Sequence, residues 1–300
     1  MGEMMPLHSA VWFTTMACNY HCHYCWEVQA QDRGEFKPAP WDKTADRWVA
    51  AWNRLRPNVL DVTGGEPFLL PWLVDFYQRL DPAIRCGMTT NISHDLTQFV
   101  QKIPPERFIN ITCSWHPSDN GTKTHPNNLY LFTGRLLMLK ERGYPVQVNY
   151  VAWPEQQWLI ADFKKWFEDH GVRFHVDPYS GIAYYPFTAT DAEEENVRKY
   201  TGPDRVQHEW TQKYGKNYRV DCSGGIHHIN VQPDGSAWRC ILDRQLMINP
   251  LGNILDEDFA LLEQPRTCDE HWRCPGCDRD KVRVNFVGEQ PYPGLPVVEV

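Results

Sequence analysis

The stretch Cys18-Asn-Tyr-His-Cys22-His-Tyr-Cys25 constrains this chain more than any other. It places three thiols in one short loop at the spacing C-x3-C-x2-C. An apolar run from Ala10 to Met16 precedes it and reads as a buried strand. Soft thiolates gathered in a tight loop suit an iron-sulfur cluster or zinc. Four thiols would close such a site, whereas three leave one metal position open for chemistry. On the residues alone, a zinc loop and a plain electron-transfer cluster stand as alternatives to a catalytic centre. The N-terminus, Met1-Gly-Glu-Met-Met-Pro6, shows no basic or apolar signal-peptide region, so a cytoplasmic location is expected. There the 10 cysteines argue for metal or catalysis rather than disulfides.

Strand and helix signals alternate through the first 180 residues. Strands are expected at Val59–Thr63, Cys86–Thr90, Phe108–Ser114, Tyr144–Val151 and Val172–Asp177. Helices are expected at Trp41–Trp52, Pro71–Leu80, from Ser93 or His94 to Lys102, Leu129–Arg142 and Pro154–His170. Gly143 and Gly171 read as stops for the last two. Six repeats of strand then helix imply parallel strands joined by right-handed crossovers, which an open sheet and a barrel both satisfy. The chemistry-bearing groups fall just after strands, where α/β barrels build their sites. They are the cysteine loop, Gly64-Gly65-Glu66-Pro67, Asn91, Ser114 and His116. A Gly-Gly pair after a buried strand lets backbone approach a ligand closely, although a tight turn needs the same residues.

Cys18-x3-Cys22-x-Tyr24-Cys25 followed by Gly64-Gly65-Glu66-Pro67 resembles the radical S-adenosylmethionine (SAM) enzymes. The resemblance implies a partial (β/α)6 TIM-like barrel. It implies that Cys18, Cys22 and Cys25 hold a [4Fe-4S] cluster, with Tyr24 as the motif aromatic. SAM would complete the fourth iron, its amino group held by the Gly64–Pro67 backbone and Glu66. By the same resemblance, Asn91, Ser114 and Asn149 sit where polar groups meet SAM. A strand-end serine or asparagine capping its own loop is an equal reading of the last two.

Alternation separates two faces on the later strands. Asn110, Thr112 and Ser114 oppose Ile109, Ile111 and Cys113, and Gln147 and Asn149 oppose Val146 and Val148. Arg173, His175 and Asp177 oppose Val172, Phe174 and Val176. The polar faces are expected to line a hollow barrel that holds a polar substrate, with Arg173, His175 and Asp177 as candidate catalytic groups. Pairs that merely hydrogen-bond one another are the alternative.

Residues 181–219 read as a bridging segment with short polar helices near 191–195 and 203–210. A hairpin is expected at His228–Cys240, turning at Gln232-Pro-Asp-Gly235. Around it stand Cys222, Cys240, Cys268, Cys274 and Cys277. This resembles the auxiliary-cluster region of the SPASM and twitch group. Five cysteines cannot fill two clusters, so one auxiliary [4Fe-4S] cluster is implied within 220–300, with a zinc knuckle as the alternative. The expected organisation is therefore a barrel over 1–180, the bridge over 181–219 and a small C-terminal cysteine-rich region. Cys86 and Cys113 read as core thiols.

The resemblance implies reductive SAM cleavage and hydrogen-atom abstraction, with flavodoxin or ferredoxin as the reductant. With strand one expected from about residue 10, no room for a leader-binding domain is expected ahead of it, so a sugar, cyclitol or nucleoside-like substrate is expected over a ribosomal peptide. An oxidation with the auxiliary cluster as electron acceptor is expected. A two-cluster electron carrier is the alternative of another class. The net charge of −8 argues against non-specific nucleic-acid binding, and no apolar run reaches membrane-span length.

Overall fold

The computed structural model describes residues 7–22, 24–25, 43–117, 128–179, 195–197, 199–200, 219–268 and 284–287. The barrel half runs β1 (Ser9–Phe13), α1 (Asp46–Leu55), β2 (Val59–Thr63), α2 (Leu73–Arg79), β3 (Arg85–Thr90) and α3 (Thr97–Lys102). It continues with β4 (Phe108–Ser114), α4 (Leu129–Glu141), β5 (Val146–Ala152), α5 (Ile160–Asp169) and β6 (Arg173–Pro178). Neighbours β1 to β6 pair in parallel, in chain order. The C-terminal part adds β7 (Arg219–Cys222), β8 (His228–Val231), β9 (Ser236–Trp238), α6 (Ile241–Leu246), β10 (Pro250–Asn253), β11 (Arg266–Thr267) and β12 (Val284–Val287).

The sheet does not stop at β1. Strand β8 pairs in parallel with β1, Ser9 facing His228 and Trp12 facing Val231. The hairpin partner β9 and then β10 extend it antiparallel, giving the order β10-β9-β8-β1-β2-β3-β4-β5-β6. A second sheet has the order β11-β7-β12. The sheet is thus mainly parallel with helices between its strands, the partial TIM-like arrangement expected. Among the described residues, no helix is long and apolar enough to cross a membrane.

Much of the tryptophan content is core. Trp12 of β1 is fully buried and lies 4.6 Å from Trp48 of α1 and 4.8 Å from Phe76 of α2, ring centre to ring centre. Trp52 and Trp72 complete this group. Burying each large ring removes apolar area worth on the order of 2 kcal/mol or more.

Several expected boundaries shift for local reasons. Strand β1 ends at Phe13, because the Thr14 hydroxyl and amide both donate to the Thr63 carbonyl and turn the chain toward the cysteine loop. Helix α3 begins at Thr97 rather than at Ser93 or His94. The Asp95 carboxylate accepts from the Thr97 amide (2.9 Å) and hydroxyl (2.6 Å), closing a turn there instead. The segment Pro154–Leu159 is a 3-10 turn ahead of α5. Ile109, expected on the apolar face, is 44% exposed. The β3–β4 register slips between Cys86 and Gly87, and the bulge sends Phe108 into the core in its place. The polar helices expected near 191–195 and 203–210 lie outside the described residues except at Glu195, as do Cys274 and Cys277.

Candidate active site

The two sequence motifs are joined backbone to backbone. The Gly65 amide donates to the Thr15 carbonyl at 2.6 Å, and the Glu66 amide to the Ala17 carbonyl at 2.9 Å. Gly64 has φ +134°, a region that side chains disfavour. A Cβ on Gly65 would stand 1.9 Å from the Ala17 oxygen. What approaches the glycine pair so closely is the cysteine loop itself, and only glycine allows it.

Glu66 is 1% exposed, and its carboxylate faces inward. One oxygen accepts from the Thr90 hydroxyl (2.7 Å) and the Phe68 amide (3.1 Å), the other from the Asn91 amide (2.8 Å). Burial raises its pKa to about 7, and the three hydrogen bonds oppose that shift. The carboxylate expected to meet the SAM amino group is thus also held by the chain around it, with two donors on one oxygen and one on the other. Beyond it, the Asn91 amide group donates to Asn19 Oδ1 (3.0 Å) and approaches Cys18 Sγ (3.9 Å). The Asn19 amide group donates to Ser93 Oγ at 2.8 Å. Glu66 thus holds Asn91, and Asn91 holds the first cysteine turn. The next residue, buried Ile92, has φ +45°, an uncommon conformation for a β-branched residue, and its carbonyl accepts from the Arg135 guanidinium at 3.1 Å. Sequence reasoning missed Asn19, Thr90, Ser93 and Arg135 as site residues; Asn19 adjoins Cys18, Thr90 adjoins Asn91, and Ser93 lies two residues beyond Asn91.

Tyr20, Cys22 and Tyr24 are buried together, with Cys18, Cys25, Val151, Trp153 and Tyr179 packed against them. The Cys25 amide donates to the Cys22 carbonyl at 2.9 Å, closing the turn that carries the last two thiols. Tyr24 Oη and His116 Nδ1 are 2.7 Å apart. Burial, reinforced by the neighbouring Cys22, raises the Tyr24 pKa well above its ordinary value. Among the described residues, no three His, Cys, Asp or Glu side chains already form a closed metal-ligand set. The donor chemistry nevertheless fits a cluster: three soft thiols share one apolar cradle, shielded by aromatic rings from water.

Register places Ser114, Asn149 and His175 side by side on β4, β5 and β6. Asn149 donates to Asp177 Oδ2 (2.8 Å), and His175 Nε2 lies 3.1 Å from Asp177 Oδ1. The Asn110 amide group donates to Thr112 Oγ1 at 2.7 Å, and Gln147 Nε2 does so at 3.1 Å. His175 and Asp177 are about half exposed on the edge strand. Arg173 shares their face but pairs with Gln147, toward the opposite end of the strand. Cys86 and Cys113 are fully buried in the main core, and burial pushes the Cys86 thiol up to about 12 and the Cys113 thiol higher than its ordinary value.

The described C-terminal thiols come from three elements. Cys222 ends β7 and faces Arg266 of β11, so Cys268 follows two residues beyond that pair. Cys222 Sγ accepts from the Gly224 amide at 3.4 Å. Cys240 caps α6, its sulfur accepting from the Asp243 amide at 3.5 Å. Between them lies Arg239, ion-paired to Asp243 at 2.5 Å with both side chains buried. Burial works against the Arg239 charge, but Asp243, with Cys268 and Cys240, holds its pKa above the ordinary value. Sequence reasoning missed this pair; its i, i+4 spacing beside Cys240 was the available signal. Thiol-bearing segments gathered around a buried cation have the donor chemistry of a thiolate-bound cluster here as well.

No protein-family model matches the sequence, and no curated protein does. Solved structures do. Streptococcus suis SuiB bound to S-adenosylmethionine superposes with a TM-score of 0.61 at 15% identity, covering 85% of this chain and 64% of SuiB. The chain therefore spans less than two thirds of that protein. SuiB bound to its precursor peptide SuiA gives 0.56, again at 15% identity, with 85% and 64% covered. The structure of anSMEcpe with bound AdoMet gives 0.58 at 15% identity, covering 83% of this chain and 78% of that one. At this identity the likeness establishes the fold.

Proposed function

We propose that this chain, which has the radical SAM fold, is a radical SAM enzyme of the SPASM and twitch type. The observation that carries the reading is the backbone join between the three-thiol loop and Gly64–Glu66, within a fold solved elsewhere with SAM bound. A plain electron carrier has no use for that join. Cys18, Cys22 and Cys25 would hold a [4Fe-4S] cluster, and Cys222, Cys240 and Cys268, with Cys274 or Cys277, an auxiliary one. When bound, the first cluster with SAM would supply radical chemistry for hydrogen-atom abstraction, and an auxiliary cluster would supply a one-electron acceptor.

The chain's own residues bind, orient and exclude water. Glu66 positions Asn91 against the cysteine turn, and with the Gly64–Pro67 backbone it would meet the SAM amino group. Tyr24, Trp153 and Tyr179 keep the thiol cradle dry. Ser114 and Asn149 offer polar contacts at the strand ends. Asp177 orients both Asn149 and His175, so His175 is placed to take a proton from a hydroxylated substrate. Arg173 would anchor the far end of such a substrate. The half-exposed polar row supports a polar small molecule, such as a sugar, cyclitol or nucleoside. A flavodoxin or ferredoxin would supply the first electron.

A second reading, modification of a ribosomal peptide, is favoured by the SuiB structure that holds a precursor peptide. Anaerobic reconstitution tests the class directly. About eight irons per chain and 5′-deoxyadenosine formed from SAM under reduction are expected. Iron uptake without any SAM cleavage would leave the electron carrier standing instead.

A further inference from the structure

Arg239 touches every segment that carries a described C-terminal thiol. It immediately precedes Cys240. Its carbonyl and side chain pack against Gly224 and Gly225, the turn that follows Cys222; a Cβ on Gly224 would stand 3.1 Å from the Arg239 oxygen and 3.5 Å from Cys222 Sγ. Its Nη1 donates to the Thr267 carbonyl at 3.5 Å, one residue before Cys268. Thr267 is fixed in turn, its hydroxyl donating to Asp221 beside Cys222 at 2.9 Å. The Arg239 side chain is 5% exposed and that of Asp243 1%.

A buried ion pair is a poor way to stabilise a fold, since an apolar pair of the same volume does as well or better. The guanidinium cannot shed its charge, and its planar fork addresses several partners at once. Asp243 engages Nε, and Nη1 donates to the Thr267 carbonyl beside Cys268. A thiolate-bound iron-sulfur group is anionic, and reduction makes it more so. The ion pair carries no net charge, but its positive edge, at Nη1, faces Thr267 beside Cys268, and an oriented pair of that kind favours the reduced form in a poorly hydrated interior.

We propose that Arg239, locked by Asp243, is the positioning residue of the auxiliary site: it gathers Cys222, Cys240 and Cys268 and favours electron acceptance there. This rests on the reading of those cysteines as cluster ligands. It gives the C-terminal region the property that a net oxidation requires of an acceptor.

The test uses the full chain, reconstituted anaerobically, in three forms: wild type, Arg239→Lys, and the double variant Arg239→Met with Asp243→Leu. The double variant removes the pair without leaving a lone carboxylate in the core. Iron per chain and an electron paramagnetic resonance redox titration, with and without SAM, separate the two clusters, since SAM alters only the signal of the first. In the double variant the auxiliary midpoint should fall enough to reduce the reduced-to-oxidised ratio about tenfold at fixed potential, which is about 59 mV for one electron. Arg239→Lys should lie between, because it keeps the charge but loses the fork. Loss of the auxiliary iron with the SAM-responsive signal intact would also support the role. Unchanged auxiliary iron and midpoint in the double variant would overturn it. Wild type that takes up only four irons would overturn the cluster reading of the C-terminal cysteines, and this inference with it.

Discussion

The two cysteine regions are built by opposite means. Cys18, Cys22 and Cys25 share one loop, and that loop is fixed by backbone bonds to Thr15 and Ala17 and by the Glu66–Asn91–Asn19 chain. Cys222, Cys240 and Cys268 sit on separate segments, which strand pairing and the contacts of one ion-paired arginine tie together. The first site is local geometry braced from outside; the second is tertiary structure itself. Damage should therefore act differently in the two places, and the comparison can be broken or sharpened by experiment.

The largest effect is expected from the thiols. Replacing Cys18, Cys22 and Cys25 by alanine should halve the iron and abolish 5′-deoxyadenosine formation, whereas Cys222→Ala should leave SAM cleavage in place and stop product formation. Equal loss of SAM cleavage in both variants would erase the division of labour drawn above.

Next comes the brace. The Glu66 pKa is raised in the fold, to about 7 from 4.5, because burial disfavours its charge. Its neutral form therefore stabilises the fold fully below pH 4.5, and that contribution is lost as pH rises through about 7. Relative to Glu66→Gln, wild type should lose roughly 3 kcal/mol over that span, read from urea midpoints between pH 4.5 and 8. A difference that is flat with pH would place the carboxylate in contact with water. Gly65→Ala should cost about 2 kcal/mol and weaken SAM binding, since the Ala17 carbonyl must move. Gly134→Ala on α4, where a Cβ meets nothing within 4 Å, should instead stabilise by about 0.5–1 kcal/mol. Asn19→Ala, which removes two side-chain hydrogen bonds, should likewise act modestly, at about 1 kcal/mol in unfolding experiments, with SAM affinity falling more than stability.

What the sequence made legible follows the same division. The cysteine loop, the glycine pair and the strands Val59–Thr63 and Phe108–Ser114 are local signals, and the structure has those strands with the same limits. The pairing of β8 with β1 has no local signature, because a strand does not encode its distant neighbour. Nor does Glu66 announce its surroundings: the glycine pair marks it as a candidate ligand contact, but the donors Thr90, Asn91 and Phe68 come from separate turns that only the fold brings to it. The Ile109 bulge was hidden because alternation assumes an unbroken register. Arg239 and Asp243 read as ordinary helix-end charges until their burial is known.

The placement of β1 between β2 and β8 also sets a timetable. Ser9 and His228, hydrogen-bonded at 2.8 Å, are 219 residues apart. A ribosome adding about 5–20 residues per second needs on the order of ten to forty seconds to make that span. Throughout that interval the outer edge of β1, with Ala10 and Trp12, has no strand to pair with. The nascent barrel is thus an open-edged sheet that waits for its own C-terminal hairpin. Its yield in a cell should depend on how well chaperones cover that edge, more than on the final stability of the fold.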